Sequence, residues 1–198
     1  MEAFESFVAL ALEEGSQEEG FVVSPAVKFP VRRRVRKKSR EECQTHGYEV
    51  DLVAARSDRL VLATVKSFFG SQGVTAQSVT GTDERSGGLY RLLNDEAIRN
   101  GVVNAAAKRY GYPLWEVELR LYVGKFAGSR SGDHERRIRE WASSVSVGRG
   151  PIQIIGLEEI VRAVRVAAER TQYRDNPALV AVKVLEKAGQ LLPFDERT

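Results

Sequence analysis

GYEVDLVAARSDRLVLATVKSFFG, residues 47–70, carries the clearest structural signal in the chain. Two runs rich in β-branched and aliphatic residues, 48–55 and 60–68, flank a polar Arg56-Ser57-Asp58-Arg59 segment, which is the pattern of a β-hairpin. With Ser57-Asp58 as a two-residue loop, cross-strand partners have numbers that sum to 115. Asp51 then lies opposite Thr64, and Glu49 opposite Lys66. Strand side chains alternate between faces. Glu49, Asp51, Val53 and Ala55 therefore share a face with Leu60, Leu62, Thr64 and Lys66, apolar near the turn and polar at the open end. The other face, Tyr48, Val50, Leu52 and Ala54 with Val61, Ala63 and Val65, is apolar nearly throughout, and strands covered on both sides are interior strands. Two acids, a hydroxyl and a lysine thus converge at one end of a buried hairpin, where charges need partners or a metal.

Upstream, residues 3–14 read as an amphipathic helix with Phe4, Phe7, Val8, Ala11 and Leu12 on one stripe. Residues 15–20 are a polar connection. Residues 21–36 have strand composition interrupted by Pro25 and Pro30, and prolines within a run indicate an edge strand or bulges. Within VRRRVRKKSR, residues 31–40, seven cations and no acid occur, so the rest of the chain has a net charge of 3 − 7 = −4. The basic character is a local patch. A long basic hairpin arm, about residues 30–42, is expected to leave the sheet here. Arg32, Arg33, Arg34, Arg36, Lys37, Lys38 and Arg40 are its candidate nucleic-acid contacts, against the plainer reading of a solvated charged tract.

Downstream, residues 67–88 read as a long loop and 89–93 as a helical turn. A helix follows with Asn94 as its cap, running through Arg109 and stopping at Gly111. WEVELRLYV, residues 115–123, alternates Val117, Leu119, Leu121 and Val123 against Glu116, Glu118, Arg120 and Tyr122, a partly buried strand. The Gly-rich 124–132 lacks the order of a phosphate-binding loop and reads as a plain loop. A charged helix over 133–142, a short strand over 151–155 and a helix over 157–170 come next; the last turns Leu157, Ile160, Val161 and Val164 inward. Asn176-Pro177 opens a final helix that ends at Gly189.

Composition narrows the class. Hydrophobic residues at 42% and charged ones at 29% fit a soluble α/β chain, expected as one domain over 1–198. No basic leader or bilayer-length apolar run is visible, so a cytoplasmic setting and no membrane partner are expected. One cysteine, Cys43, and two histidines, His46 and His134, argue against a disulfide framework or a structural zinc site.

The acid at Asp51 and the Thr64-Val65-Lys66 triplet in the next strand resemble the PD-(D/E)XK nuclease superfamily, with Thr64 where Glu or Asp is usual. The resemblance implies a restriction-endonuclease-like αβββαβ core in a mixed sheet, with extra C-terminal helices and the basic hairpin arm as additions. It implies metal-dependent cleavage of DNA phosphodiester bonds, with Mg2+ or Mn2+ as cofactor. Asp51, Lys66, Glu49 and Thr64 then form the catalytic set, and Asp51, Glu5 and Glu49 the metal ligands. Two alternatives stay open: Glu5, with Glu2 as fallback, as a solvated first-turn glutamate, and Glu49 as the salt-bridge partner of Lys66. A catalytically inactive relative that binds nucleic acid or a protein through its arm is the competing reading. DNA is the expected partner, and a homodimer is left open.

Overall fold

The computed structural model describes residues 2–15, 20–37, 40–83, 85–128, 133–169 and 176–191, with the side chains of 34–37, 40 and 41 outside that description. The central hairpin forms in the expected register. Strand β2 (Arg40–Arg56) pairs antiparallel with β3 (Arg59–Lys66), with Leu52 opposite Ala63 and Arg56 opposite Arg59. Strand β1 (Val22–Lys37) lies antiparallel to β2 on its outer side. The β4 strand (Val117–Val123) runs parallel to β3. A small ribbon of β5 (Ser146–Val147) and β6 (Gly150–Pro151) leads into β7 (Gln153–Gly156), parallel to β4. The sheet order is β1-β2-β3-β4-β7, so the fold is mixed α/β and β1 is an edge strand that accommodates Pro25 and Pro30 without a break.

Helices cover both faces. On one face, α1 (Ala3–Glu14) and α6 (Leu157–Glu169) pack over Leu52, Ala54, Val61, Ala63, Val65 and Tyr122. A short α2 (Ala76–Thr80), the turn α3 (Arg91–Asn94), α4 (Glu96–Tyr110) and α5 (His134–Ser143) lie with the opposite layer, where Val53, Leu62, Leu119 and Leu121 meet Ile98, Val102 and Ala106. Helix α7 (Pro177–Lys187) starts on the Asn176 cap and packs against α6 through Leu179. Fully buried Leu52, Leu60, Leu62 and Val61 leave the sheet dry on both sides near the turn.

Several expectations change. Residues 67–88 are not a plain loop: Thr75 accepts from Ser78 N–H to start α2, and Val74 bridges to Phe126. The cap of α4 is Asp95, whose carboxylate accepts from Ile98 N–H; Asn94 instead donates to Gly87 O at 3.1 Å and ties the preceding loop shut. Leu157 is exposed rather than inward. Most consequentially, the charged face of β4 is not a solvent face, because α1 and α6 cover it and Tyr122 is buried there.

The long hairpin turns a corner at Asp51. Ala26, opposite it, adopts φ +52, a conformation L-residues other than glycine seldom take. β3 stops accompanying β2 at Leu52, so residues 40–51 of β2 continue with β1 alone. Beyond the corner, Val50 and Tyr48 do not continue the face of Leu52 and Ala54; they join Phe29 and Val31 in the α4 layer. Gly101 inside α4 allows that approach, since a Cβ there would come within 2.5 Å of Val31 Cγ1. The projecting arm is therefore seated on a helix at its base.

Candidate functional site

At the open end of the hairpin, Asp51 reaches across to the chain that β2 no longer pairs with. Its Oδ2 accepts the Val65 N–H at 2.6 Å and the Thr64 hydroxyl at 2.9 Å, and stands 3.7 Å from Lys66 Nζ. A carboxylate replaces the missing strand partner, satisfying a backbone donor that would otherwise be unpaired. Thr64 is buried, while the Asp51 and Lys66 side chains are about one-fifth exposed. The cluster contains one negative and one positive charge, so it is balanced. Asp51, Thr64 and Lys66 are thus brought together as expected.

The other expected members are not. Glu49 lies past the end of the β2–β3 pairing and faces Lys28 on β1, its carboxylate 3.5 Å from that ammonium in an exposed pair. The expected bridge to Lys66 fails because β2 parts from β3 beyond the Leu52–Ala63 pair, while β3 itself runs on to Lys66 beside β4. Glu5 belongs to α1, on the sheet face opposite to that of Thr64 and Lys66. Its carboxylate accepts Glu2 N–H at 2.9 Å, completing a capping box at the start of its own helix.

A hard divalent ion takes six or more oxygen ligands, with carboxylates prominent among them. Here one carboxylate already accepts two hydrogen bonds beside an ammonium, and among the described residues no three His, Cys, Asp or Glu side chains gather at one point. The residues as arranged do not fit a magnesium or manganese centre.

The arm offers a different surface. At its base Val31 is buried and Arg33 is drawn to Asp95, Nη2 to Oδ2 at 3.0 Å, with its Nη1 3.5 Å from the Tyr48 hydroxyl. Tyr48 and Asp95 hold the Arg33 guanidinium above its ordinary pKa against the opposing effect of burial. Arg33 thus anchors the arm instead of serving as a free cation. Arg32 is exposed. The side chains of Arg34, Arg36, Lys37 and Arg40, and Lys38 entirely, lie outside the described residues. The register sets Glu41 opposite Arg36 and Glu42 opposite Val35, so the net charge of residues 31–46 is 7 − 2 = +5.

A second polar cluster, not anticipated from the sequence, occupies the turn end on the other face. Arg120 donates to Glu118 through Nε and Nη2, both at 3.1 Å, and through Nη1 to the Tyr122 hydroxyl at 3.1 Å. Arg59 Nη1 is 3.7 Å from the same Glu118 carboxylate, and Arg56 binds Asp58 at 2.6 Å. Burial opposes charge on Arg120, but the contacts with Tyr122 and Glu118 outweigh it and raise its pKa further. The signal was present in the alternation: Arg56 and Arg59 are cross-strand partners, and Glu118, Arg120 and Tyr122 share one parity. Missing was the knowledge that helices cover that parity. Comparison of the chain with protein-family models, with curated proteins and with solved structures yields no match.

Proposed function

We propose that this protein binds the backbone of duplex DNA through the β1–β2 arm, without depending on cleavage at Asp51. The supporting observation is the anchored arm: it is held to α4 through Val31, Gly101 and the Arg33–Asp95 pair, Arg32 is exposed beside that anchor, and the sequence adds five further cations within residues 34–40. A basic strand seated at its base suits phosphates spaced along a backbone and reads no base edges. The resemblance to the PD-(D/E)XK superfamily is supported by the α1-β1-β2-β3-α4-β4 order and by the Asp51–Lys66 juxtaposition. A relative that kept that scaffold while Thr64 replaced the second acid is the reading we favour.

The test is a salt series. With three to five cations engaged, the log–log slope of duplex affinity against salt should be about −3 to −5. Replacing Arg32, Arg34 and Arg36 by Ser, with Arg33 kept as anchor, should flatten the slope by about 2–3 and weaken two unrelated duplexes alike. Wild-type slope and affinity in the triple variant would refute the arm as the site and favour an acidic protein partner. Manganese-dependent cleavage that disappears in Asp51→Asn would restore the nuclease reading.

A further inference from the structure

Between α4 and β4 the backbone is held in place while a large aromatic side chain is left in solvent. Gly111 takes a left-handed conformation, φ +78, that ends α4, and the Tyr112 hydroxyl donates to Arg56 O at 2.7 Å. A single 3-10 turn, Leu114–Glu116, follows, and just beyond it the Arg149 N–H donates to Val117 O at 2.7 Å. Gly148 lies so close that a Cβ there would come within 2.2 Å of Val117 O. On this held corner Trp115 is 70% exposed and Leu114 43% exposed. Tryptophan is highly buried on average, so an open one on a fixed turn asks for a partner.

The chain around it is basic. Residues 108–117 and 145–151 hold Lys108, Arg109 and Arg149 against the single acid Glu116, a net charge of 3 − 1 = +2. The three cations are exposed, and neither they nor Glu116 form an ion pair among the described residues. Asp58 and Glu118, at the same end of the sheet, are already shared among Arg56, Arg59 and Arg120. Helix α4 joins this corner to the arm: its cap Asp95 pairs with Arg33, and Arg109 in its last turn donates to Lys28 O at 3.2 Å. Its 15 residues, at 1.5 Å each, span about 22 Å, roughly six base-pair steps of B-DNA.

We propose that this corner binds single-stranded nucleic acid, with Trp115 stacking on an unpaired base and Lys108, Arg109 and Arg149 meeting the flanking phosphates. The inference rests on the arm as the duplex site and names its preferred ligand: a duplex that carries a single-stranded tail. Every base has a π-face, so an exposed indole takes any of them, and the stack adds no sequence preference to an arm that contacts backbone alone. Continuity with the basic arm along one helix favours nucleic acid over an acidic protein segment at the same corner.

The chain has two tryptophans, and Trp141 is half-buried against the α4 layer. Fluorescence quenching by a short oligothymidylate, present in the full wild-type chain and absent from Trp115→Phe, whose remaining indole is Trp141, therefore reports the corner. A duplex with an oligothymidylate tail, of one polarity or the other, should bind at least about tenfold tighter than the blunt duplex, the effect of one stacked base. Trp115→Ala should abolish that gain, Trp115→Phe should keep part of it, and Arg149→Ser should reduce it. Equal affinity for blunt and tailed duplexes of both polarities, or a gain that survives Trp115→Ala, would overturn the proposal and leave the arm reading intact. Tighter quenching by polyglutamate than by oligothymidylate would overturn it in favour of an acidic protein partner. Failure of the blunt duplex to bind would instead defeat the arm reading, whereas absence of quenching by oligothymidylate defeats the corner.

Discussion

The two ends of the β2–β3 hairpin solve the same problem in opposite ways. Both bury charged groups where the sheet stops. At the open end Asp51 gathers a backbone N–H, a hydroxyl and an ammonium on one oxygen, and the charges cancel. At the turn end two arginines share Glu118, a donor is left over, and a cavity adjoins them. The open end closes its hydrogen bonds on one carboxylate oxygen, whereas the turn end leaves the Arg59 Nε–H without an acceptor among the described residues. Residue type alone is a weak guide to function here. The balance of charge and of hydrogen bonds discriminates better.

The comparison can be broken most forcefully at Glu118. Glu118→Gln leaves Arg120 without its carboxylate partner and Arg59 with only Asp58, 3.7 Å away, and should cost about 3 kcal/mol of stability, near the lower end for a broken buried pair because the groups are partly exposed. Denaturant unfolding measures it, and a loss below about 1 kcal/mol, the usual ceiling for surface pairs, would mean that solvent screens the cluster. Next in size is Asp51→Ala, which strands the Val65 N–H and the Thr64 hydroxyl and should cost about 2 kcal/mol with chelator present. Unchanged stability would show that Asp51 is not the joint described above, returning it to the list of purely functional residues.

Thr64→Glu sharpens the contrast by changing chemistry. The second carboxylate meets Asp51 in a buried position, and two close acids resist ionising together. Without metal the variant should lose about 1–2 kcal/mol. With manganese it should regain melting temperature that the wild type does not, and an equal response of both proteins would refute the view that Thr64 withholds a ligand. The smallest effect belongs to Asp58. Its hydrogen bond from Arg56 lowers its pKa below the ordinary carboxylate value. The sign follows directly: a depressed folded-state pKa gives stability that is present above the unfolded value of about 3.9 and lost as pH falls through the folded one. Asp58→Asn should flatten the acid limb of the stability profile slightly in that window; an unchanged limb would show that the turn pair is inert.

Much of this fold was legible because its signals are local. The hairpin register followed from a two-residue loop, and the ends of α4 and α7 followed from Gly111 and Asn176-Pro177. The site was half legible. Parity placed Thr64 and Lys66 on the face of Asp51, but no local rule says that β2 leaves β3 before Glu49 or that α1 lies on the far face with Glu5. The cover over Glu118 and Arg120 is also a tertiary fact, supplied by helices more than thirty residues away in either direction along the chain. Even the Asp95 cap was hidden by its neighbour, because Asn94 and Asp95 are both good caps and only packing against Gly87 separates them.

The seated arm also has a bearing on how copies of the chain behave in concentrated solution. β1 is a 16-residue edge, long enough to template pairing with the same strand of another molecule. Pro25 and Pro30 carry no N–H to offer, Ala26 bends the backbone between them, and the arginines beyond repel a second arm. The positive charge of that segment thus opposes the approach of a second arm. Neutralising it, whether by mutation or by a bound polyanion that bridges two arms, would remove that repulsion from an unpaired strand border, so polyanion binding would favour self-association at the same edge.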